Sequence, residues 1–518
     1  MKLRGGLTRR QTMQLGAAAL GSTMFVGPLG STAVNAEEPG GTLRFAVSDA
    51  NARERLDPMF AVNLNDCVYC SHIYDKLVDI DDDWNILPML ATGWSSNDDA
   101  SVWEFKVRDG VTFHDGSALT LDDIVFSIAR HLDESSGSSM YSRLSAILAP
   151  AGIETTDTGA IRFRLSRSDA TFPIALGQRQ MAVVKKGANI QEVATAIGTG
   201  PFKIESWNPA QSWALTRNPA YWQAGLPHFD RIEAVVVPEQ ATKVQAVISG
   251  QFDLGDAIDV SSAQVVAQNP DAALLVHDAA VAYLVILDTT QKPFDDPRIV
   301  QAVKLAQSRD AILSASLQGY GITTGDVPVD PASQFYPKTY GVPGPDLDRA
   351  RQLLAEAGYP DGIDITLDTS PVDPGMLNMA IAFKQVVEAA GIRVAITQWP
   401  AETYWNQPYG KTPAFTDYWT YRHPIEAASL FYRSDAPWNY SKIRDPEFDA
   451  MIDQAMRTTD VDAQAEQVAK AYEIIASKAG TAIPMLGARL WVHSKTLEGL
   501  RPSRANYMYL TEAKRKSA

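Results

Sequence analysis

Residues Val102–Arg130 read VWEFKVRDGVTFHDGSALTLDDIVFSIAR, and this stretch decides how the chain is interpreted. Apolar and polar residues alternate from Val102 to Val107, which predicts a half-buried strand. Asp109-Gly110 predicts a hairpin turn, after which Val111 and Phe113 resume the alternation as a second strand. The stretch is therefore expected to begin as a β-hairpin.

The second half of the same stretch predicts a helix. Asp115-Gly116 turns the chain again, and Thr120 is placed to cap the helix N-terminus. Asp122 and Asp123 fall in the first turn, where the helix dipole favours negative charge. The apolar residues at helical spacing form one buried stripe: Leu121, Ile124, Val125 and Ile128.

Length and charge narrow the class of protein. The 518 residues are too many for one ordinary core, so two or more lobes are expected. A strand at 363–368, a helix at 377–390 and a strand at 392–398 form an α/β unit that builds parallel or mixed sheets. The net charge of −15 argues against nucleic acid or an anionic membrane as partner, although plain solubility is the simpler reason for it.

The first 36 residues have the pattern of a targeting segment. Arg9-Arg10 is followed by a weakly apolar region from Met13 to Val26, and Val34-Asn35-Ala36 offers small residues for cleavage. We expect export to the periplasm and removal of residues 1–36, with cleavage after Ala36. A twin-arginine signal and an ordinary secretory signal with two arginines both fit. No later stretch has the roughly 18 apolar residues needed to span a bilayer.

The two cysteines, Cys67 and Cys70, allow two interpretations. An exported protein can form a disulfide, and two buried thiols in an apparent helix reaching to Ile80 fit equally well. His72 alone does not make a metal site, and the seven histidines include no H-x-x-H or H-E-x-x-H spacing. We therefore expect no metal and no cofactor.

The run W-E-F-x-V-R-D-G-V-x-F-H-D-G-x-x-L-T-x-D-D-I-V-F-S at 103–127 closely resembles a family signature. It is similar to that of the family 5 extracellular solute-binding proteins, which serve oligopeptide and dipeptide ABC importers from the periplasm. Gly198-Thr199-Gly200-Pro201-Phe202 and Asn218-Pro219-x-Tyr221-Trp222 also resemble this family. The resemblance extends over nearly the whole of the chain after residue 36.

The resemblance implies an α/β, two-lobed periplasmic binding protein fold of class II, cluster C type. Such a fold would have mixed sheets and an extra subdomain in the first lobe. Two strands would form the hinge between the lobes. Residues 37–284 and 490–518 would form the larger first lobe, and residues 285–489 the second lobe. The implied function is capture of a small solute between the lobes and delivery to ABC importer permease subunits. We expect a monomer without enzymatic activity and without direct membrane insertion.

The segment 403–438 is dense in aromatic residues, which indicates either a cleft wall or plain packing. Relatives that bind peptides carry an aspartate about four residues before Pro424, where it pairs with the ligand α-ammonium; in this chain that position is Thr420. Asp417 could substitute, and Arg422 adds a cation suited to a carboxylate or phosphate. Arg489 and Tyr283 lie where the crossing strands of a relative face the ligand. The candidate ligand-binding residues are Asp49, Asn51, Tyr283, Tyr404, Trp405, Asp417, Trp419, Thr420, Tyr421, Arg422, His423 and Arg489.

The departure at Thr420 favours a peptide-like, opine-like or other amino-acid-derived or anionic ligand over an ordinary peptide. An oligosaccharide and a metal chelate are further alternatives for the ligand. An exported hydrolase is a different class of function, but the chain has no G-x-S-x-G motif and no metalloprotease motif. A sensor or chaperone built on the same scaffold also fits the sequence.

Overall fold

The computed structural model describes residues 40–48, 51, 53–503 and 507–517. The predicted targeting segment, its predicted cleavage site and Asp49 lie outside the described residues. Within those residues, no helix has both the length and the apolar character that a membrane crossing requires.

The described residues form strands and α-helices throughout their length. The strands are β1 (Thr42–Val47), β2 (Val78–Ile80), β3 (Ile86–Pro88), β4 (Ala91–Ser96), β5 (Val102–Val107), β6 (Leu148–Thr155), β7 (Ala160–Leu165), β8 (Phe202–Asn208), β9 (Ser212–Arg217), β10 (Arg231–Val236), β11 (Leu254–Ile258), β12 (Ala272–Leu287), β13 (Gly321–Thr323), β14 (Ile363–Thr369), β15 (Ile392–Gln398), β16 (Ala414–Thr420), β17 (Thr481–Ser494), β18 (Leu497–Glu498), β19 (Arg501–Pro502), β20 (Met508–Tyr509) and β21 (Lys514–Arg515). The α-helices are α1 (Leu64–Ile73), α2 (Leu121–Ala129), α3 (Tyr141–Ser145), α4 (Phe172–Leu176), α5 (Gln240–Ile248), α6 (Val260–Ala267), α7 (Pro297–Leu305), α8 (Arg309–Leu317), α9 (Leu347–Glu356), α10 (Pro374–Val387), α11 (Ala401–Tyr404), α12 (Pro424–Phe431), α13 (Pro446–Ala455) and α14 (Val461–Lys478).

Eleven strands of the described chain form one mixed sheet. Its order is β15-β14-β16-β12-β17-β11-β1-β10-β9-β8, and β13 pairs with β17 outside this path. The two longest strands, β12 and β17, pair antiparallel in the middle. Strands from residues 363–420 lie on one side of them, and strands from residues 42–258 lie on the other. The mixed-sheet α/β architecture expected from the family resemblance is therefore confirmed.

The buried apolar residues divide along the chain in the same way. Two clusters draw their buried members only from residues 279–486. Three others draw theirs only from residues 43–272 and 490–513, within the described chain. One of these three lies against a separate four-stranded sheet, β4-β5-β7-β6, on the N-terminal side. The core is thus built in two groups that meet at β12 and β17.

The stretch Val102–Arg130 is partly as predicted. The strand covers Val102–Val107, and α2 begins after Thr120, whose hydroxyl accepts from the Asp123 amide at 3.3 Å. The second hairpin strand is wrong: around Val111–Phe113 the described chain forms only an isolated bridge between Thr112 and Ala118. The Asp115 turn that follows closes this loop before a ladder can extend.

The helix expected to run through Cys70 to Ile80 ends at Ile73 instead. The cause is the Gly198–Gly200 segment, which packs directly on the helix end. The Gly200 amide donates to the Ile73 carbonyl at 3.0 Å, and a Cβ on Gly198 would lie 1.9 Å from the same oxygen. These glycines therefore permit a close backbone approach, and the chain continues from Tyr74 into β2 rather than into further helix.

Two smaller expectations are settled by burial. Residues 235–238 read Val-Val-Val-Pro, an apolar run typical of a buried strand, but β10 ends at Val236 and Val235 is 42% exposed. Cys67 and Cys70 are both buried, and no disulfide joins them. The Cys70 thiol donates to the Leu56 carbonyl at 3.8 Å, so the two-thiol interpretation describes this structure.

A buried ion pair joins α5 to β11 beside β1. The Lys243 ammonium donates to Asp256 Oδ1, and both side chains are fully buried. We expect Lys243→Met to lower the free energy of unfolding by about 3–5 kcal/mol, because it leaves the Asp256 carboxylate buried without its cation. Urea denaturation measures this change. The matched control, Lys470→Met, removes an exposed partner of Glu466 and should leave stability nearly unchanged; equal effects of the two variants would contradict the prediction.

Candidate ligand-binding cleft

A cavity of about 470 Å³ lies between segments that are far apart in the sequence. Residues from both sides of the crossing strands contribute to its wall. The lining residues are Val62, Leu64, Cys67, Asp79, Ile80, Asp81, Asp82, Trp84, Met140, Arg143, Gly177, Gln178, Arg179, Gln180, Tyr418, Thr420, Tyr421, Arg422, Glu426, Arg489, Ser503 and Tyr507. A concave site with convergent polar groups is the usual form of a small-molecule binding site.

The turn between β16 and α12 delivers one wall of the cavity. Thr420 ends β16 opposite Val281 of β12, and the Tyr421 amide donates to the Ala280 carbonyl at 3.0 Å. His423 then caps α12 by accepting from the Ile425 amide at 3.3 Å. Because both ends of this turn are fixed, Arg422 between them is directed to the cavity.

Arg422 is held by its own segment and by aromatic rings. Its Nη1 donates to the carbonyl and hydroxyl oxygens of Thr420 at 3.1 and 3.2 Å. Its guanidinium carbon lies 5.6 Å from the ring centroid of Phe431 and 5.7 Å from that of Trp438. Burial lowers the pKa of Arg422, the charges of Glu426 and Asp417 raise it and that of Arg179 lowers it, with a net downward shift. The charge of Arg422 is therefore destabilised where it stands.

Arg179 and Arg143, from the N-terminal part of the chain, bring two more guanidinium groups to the same cavity. Arg179 Nε donates to the Ala61 carbonyl at 3.1 Å, whereas Arg143 Nη1 pairs with Glu426 at 3.2 Å. Among the carboxylates of the described chain, none forms an ion pair with Arg179 or Arg422. Two of the three cations thus line the cavity without an ion pair to a carboxylate of the described residues.

The acidic residues of the lining are engaged within the protein. Although burial opposes it, the Lys76 ammonium at 2.7 Å and the Arg501 guanidinium hold the pKa of Asp79 at about 2. Asp81 accepts the Asp83 and Asn85 amides of its own turn at 2.9 and 2.8 Å. Asp82 lies 3.4 Å from His277. Each of these three aspartates thus has a contact within the protein, whereas Arg179 and Arg422 have no ion pair with a carboxylate of the described residues.

Four of the residues predicted from the sequence line this cavity: Thr420, Tyr421, Arg422 and Arg489. Tyr283 and Arg489 line a second cavity, of about 390 Å³, on the crossing strands. There Tyr283 donates to Asp373 at 2.9 Å, and Arg489 lies 3.5 Å from the other oxygen of that carboxylate. Arg489 is the residue that the two linings have in common.

The remaining predicted residues lie outside both linings. Asp417 is buried, and it accepts from Tyr409 and from the Trp419 indole, each at 2.6 Å. Trp419 stacks on Phe431 with ring centroids 3.8 Å apart. Tyr404 is buried and donates to the Thr416 carbonyl at 2.6 Å.

Three further predicted residues also have local roles. Trp405 is 37% exposed and packs on Tyr409, with ring centroids 4.7 Å apart. His423 is fully enclosed, and burial lowers its pKa to about 3. Asn51 accepts the Arg53 amide at 2.8 Å within its own turn. These contacts account for the three side chains by local packing and turn formation.

Sequence reasoning missed several residues of the lining. Arg143 and Arg179 lie in short helical turns without any family motif, so no local signal distinguishes them. Trp84 lies in the polar run Asp81-Asp82-Asp83-Trp84-Asn85, and its ring stacks on Tyr421 with centroids 5.4 Å apart. A tryptophan in a polar turn has no strand or helix face to fill, and that was a usable signal.

Comparison with known proteins agrees with this geometry. Residues 85–442 match the model of the bacterial extracellular solute-binding proteins, family 5. The chain belongs to this family. It is thus an extracellular solute-binding protein, of the kind that serves ABC importers. The glutathione-binding protein GsiB of Salmonella typhi is 26% identical over 463 residues, which cover 86% of this chain and 89% of that protein.

Solved structures show the same fold at lower identity. HbpA2 from Haemophilus parasuis has a TM-score of 0.80 and 22% identity, covering 92% of this family member and 100% of HbpA2. AgaA from A.tumefacien R10, in complex with agropinic acid, has a TM-score of 0.72 and 22% identity. That alignment covers 92% of this chain and 99% of AgaA.

The buried carboxylate Asp417 gives a prediction for the pH dependence of stability. Burial raises its pKa from 3.8 to about 6. The folded state thus holds this proton more tightly than the unfolded state, so the stabilisation is complete below about pH 4 and is lost as the pH rises through about 6. The advantage of the wild type over Asp417→Asn should shrink by about 2–3 kcal/mol across this range. Urea denaturation of both proteins at each pH measures it, and a constant difference would contradict the assignment.

Proposed function

We propose that this protein captures a small solute carrying a carboxylate or similar anionic group in the 470 Å³ cavity. One observation carries the proposal: Arg179 and Arg422 line the cavity, and neither pairs with a carboxylate of the described residues. Both guanidinium groups are partly buried. A partly buried cation without an ion-pair partner loses hydration, and an anionic ligand that supplies charge-assisted hydrogen bonds offsets this cost. Thr420, Tyr421 and Arg489 complete the proposed binding surface.

The same charges argue against an ordinary peptide held by its α-ammonium group. That mode needs an available carboxylate, but Asp417 lies outside the lining and already accepts three hydrogen bonds. The relatives support an amino-acid-derived compound, because one is named for glutathione and another was solved with agropinic acid. We therefore propose a peptide-like or opine-like compound recognised through its acidic groups.

Capture would occur by closure of two lobes over the ligand. The proposed first lobe comprises residues 37–284 and 490–518, and the proposed second lobe comprises residues 285–489. The separation of the buried clusters supports a division at β12 and β17, although buried residues 279–284 pack with the second group. Since hinge closure requires the ligand to touch both lobes, an arginine from each, Arg179 and Arg422, is a suitable pair.

The remaining parts of the proposal concern export, oligomeric state and delivery of the solute. The chain would be exported with removal of residues 1–36 and would act as a monomer in the periplasm. It would pass the solute to the permease subunits of an ABC importer without changing it chemically. Mass spectrometry of the solute before and after incubation tests that last point, because a receptor returns it at its original mass.

The ligand class can be tested with glutathione as a probe, together with the solute that copurifies with the protein. Arg179→Met and Arg422→Met should each weaken binding of a carboxylate compound by about 1.5–3 kcal/mol, the size of a hydrogen bond to a charged group. Calorimetric titration measures the affinity. Arg351→Met is the matched control, because this arginine is exposed on α9 and pairs with Asp348. Unchanged affinity in both cavity variants would show that the anionic group binds elsewhere.

A further inference from the structure

The tip of the β2–β3 hairpin carries a tryptophan across the cavity. The indole of Trp84 stacks on Tyr421 with ring centroids 5.4 Å apart and planes 18° from parallel. It also lies edge-on to His423 at 5.3 Å. The hairpin belongs to the N-terminal part of the chain, whereas Tyr421 and His423 flank Arg422 in the β16–α12 turn. Trp84 therefore joins the two walls of the proposed binding site.

The local backbone of Trp84 is unfavourable for a tryptophan. Its φ of 69° lies in the left-handed region, which glycine and asparagine occupy readily and bulky residues rarely do. The turn itself is well determined, because the Asp83 and Asn85 amides both donate to Asp81. A strained residue inside an otherwise well-formed turn points to a function for its side chain.

The docked indole also has an unmet hydrogen bond. Trp84 Nε1 is buried, and it has no acceptor among the described residues. A buried indole N–H normally finds a partner, and an undocked ring would donate to water. Ring stacking therefore favours docking, while backbone strain and lost hydration oppose it. Such opposed contributions leave docking sensitive to what occupies the cavity.

A second contact tethers the same hairpin tip to the crossing strands. Asp82 lies 3.4 Å from His277. His277 is the β12 residue opposite Arg489 of β17 in the strand register. On the far side of the cavity, Arg143 and Glu426 form another contact between the N-terminal and C-terminal parts. The tip is thus positioned between the hinge strands and the arginine-bearing turn.

We propose that Trp84 is a positioning residue for ligand binding, whose indole docks on Tyr421 and closes the cavity over a bound anionic solute. The inference rests on the proposed function, because a solute held by Arg422 stabilises the turn on which the ring docks. Docking then slows solute release. The anionic group of the solute binds Arg422, and Trp84 affects this binding through its contact with Tyr421.

Variants at Trp84 and Tyr421 separate docking from simple stability. Trp84→Gly removes the ring and suits the left-handed backbone; it should weaken glutathione binding by about tenfold through faster dissociation, the size of one lost aromatic contact. Trp84→Phe keeps a ring and should bind within about threefold of the wild type. Because Trp84 acts through Tyr421, the double variant with Tyr421→Leu should bind no more weakly than Tyr421→Leu alone. Trp94→Phe, in the four-stranded sheet outside the lining, is the control.

A measurement without ligand tests the contact itself. In protein labelled with 5-fluorotryptophan, the ¹⁹F resonance missing from the Trp84→Phe spectrum belongs to Trp84. Without ligand, we expect this resonance to have a different chemical shift in Tyr421→Leu from that in the wild type. When glutathione is added to the wild type, we expect the resonance to shift further from its position in Tyr421→Leu. An identical Trp84 resonance in the wild type and Tyr421→Leu would overturn the proposal.

The two proposals fail in different ways. If the wild type binds glutathione and Trp84→Gly binds it equally well, Trp84 has no role in binding, while the receptor function stands. If Trp84 docks on Tyr421 by ¹⁹F but neither glutathione nor the copurifying solute binds through Arg179 and Arg422, the contact is supported and the proposed ligand class is contradicted.

Discussion

The antiparallel pairing of β12 with β17 is the constraint on which the rest of the structure depends. The chain passes from one side of the large sheet to the other along β12 and returns along β17. The register breaks directly after His277 opposite Arg489, and Ala279 there has a φ of 56°. Both passages cross at one place, so side chains around it belong to both parts of the chain. A cavity beside such a crossing can be closed by a small rotation.

Most aromatic residues of the segment 403–438 pack behind the cavity and do not line it. Trp419, Phe431 and Trp438 form a ladder with centroid separations of 3.8 and 5.9 Å. Tyr404 and Tyr409 pack behind β16, and Tyr409 also binds Asp417. Packing of this kind fixes the end of β16, and a fixed strand end determines where Arg422 points. The density of aromatic residues in the sequence reflects that support.

Sequence patterns predicted the elements whose periodicity is local and missed those set by distant contacts. The strand at Val102–Val107 and the cap at Thr120 depend on neighbouring residues, and both were correct. The end of α1 at Ile73 depends on glycines more than 120 residues away, so no local pattern could reveal it. The lining was predictable only for the turn after β16 and for Arg489 on β17, where the family resemblance applied. Arg179 and Trp84 reach the cavity through tertiary packing, which one sequence does not encode locally.

A comparison of buried Arg309 with partly buried Arg422 explains why Arg422 is suited to a ligand. Arg309 pairs with Asp326 at 2.6 Å, and both side chains are at most 3% exposed. Its charge is neutralised within the fold. Arg422 instead lies over the rings of Phe431 and Trp438. A ring stabilises the cation through the face of the guanidinium and leaves the N–H donors in its plane available. Aromatic support therefore keeps a positive group in the cavity without using up the hydrogen bonds that an anion requires.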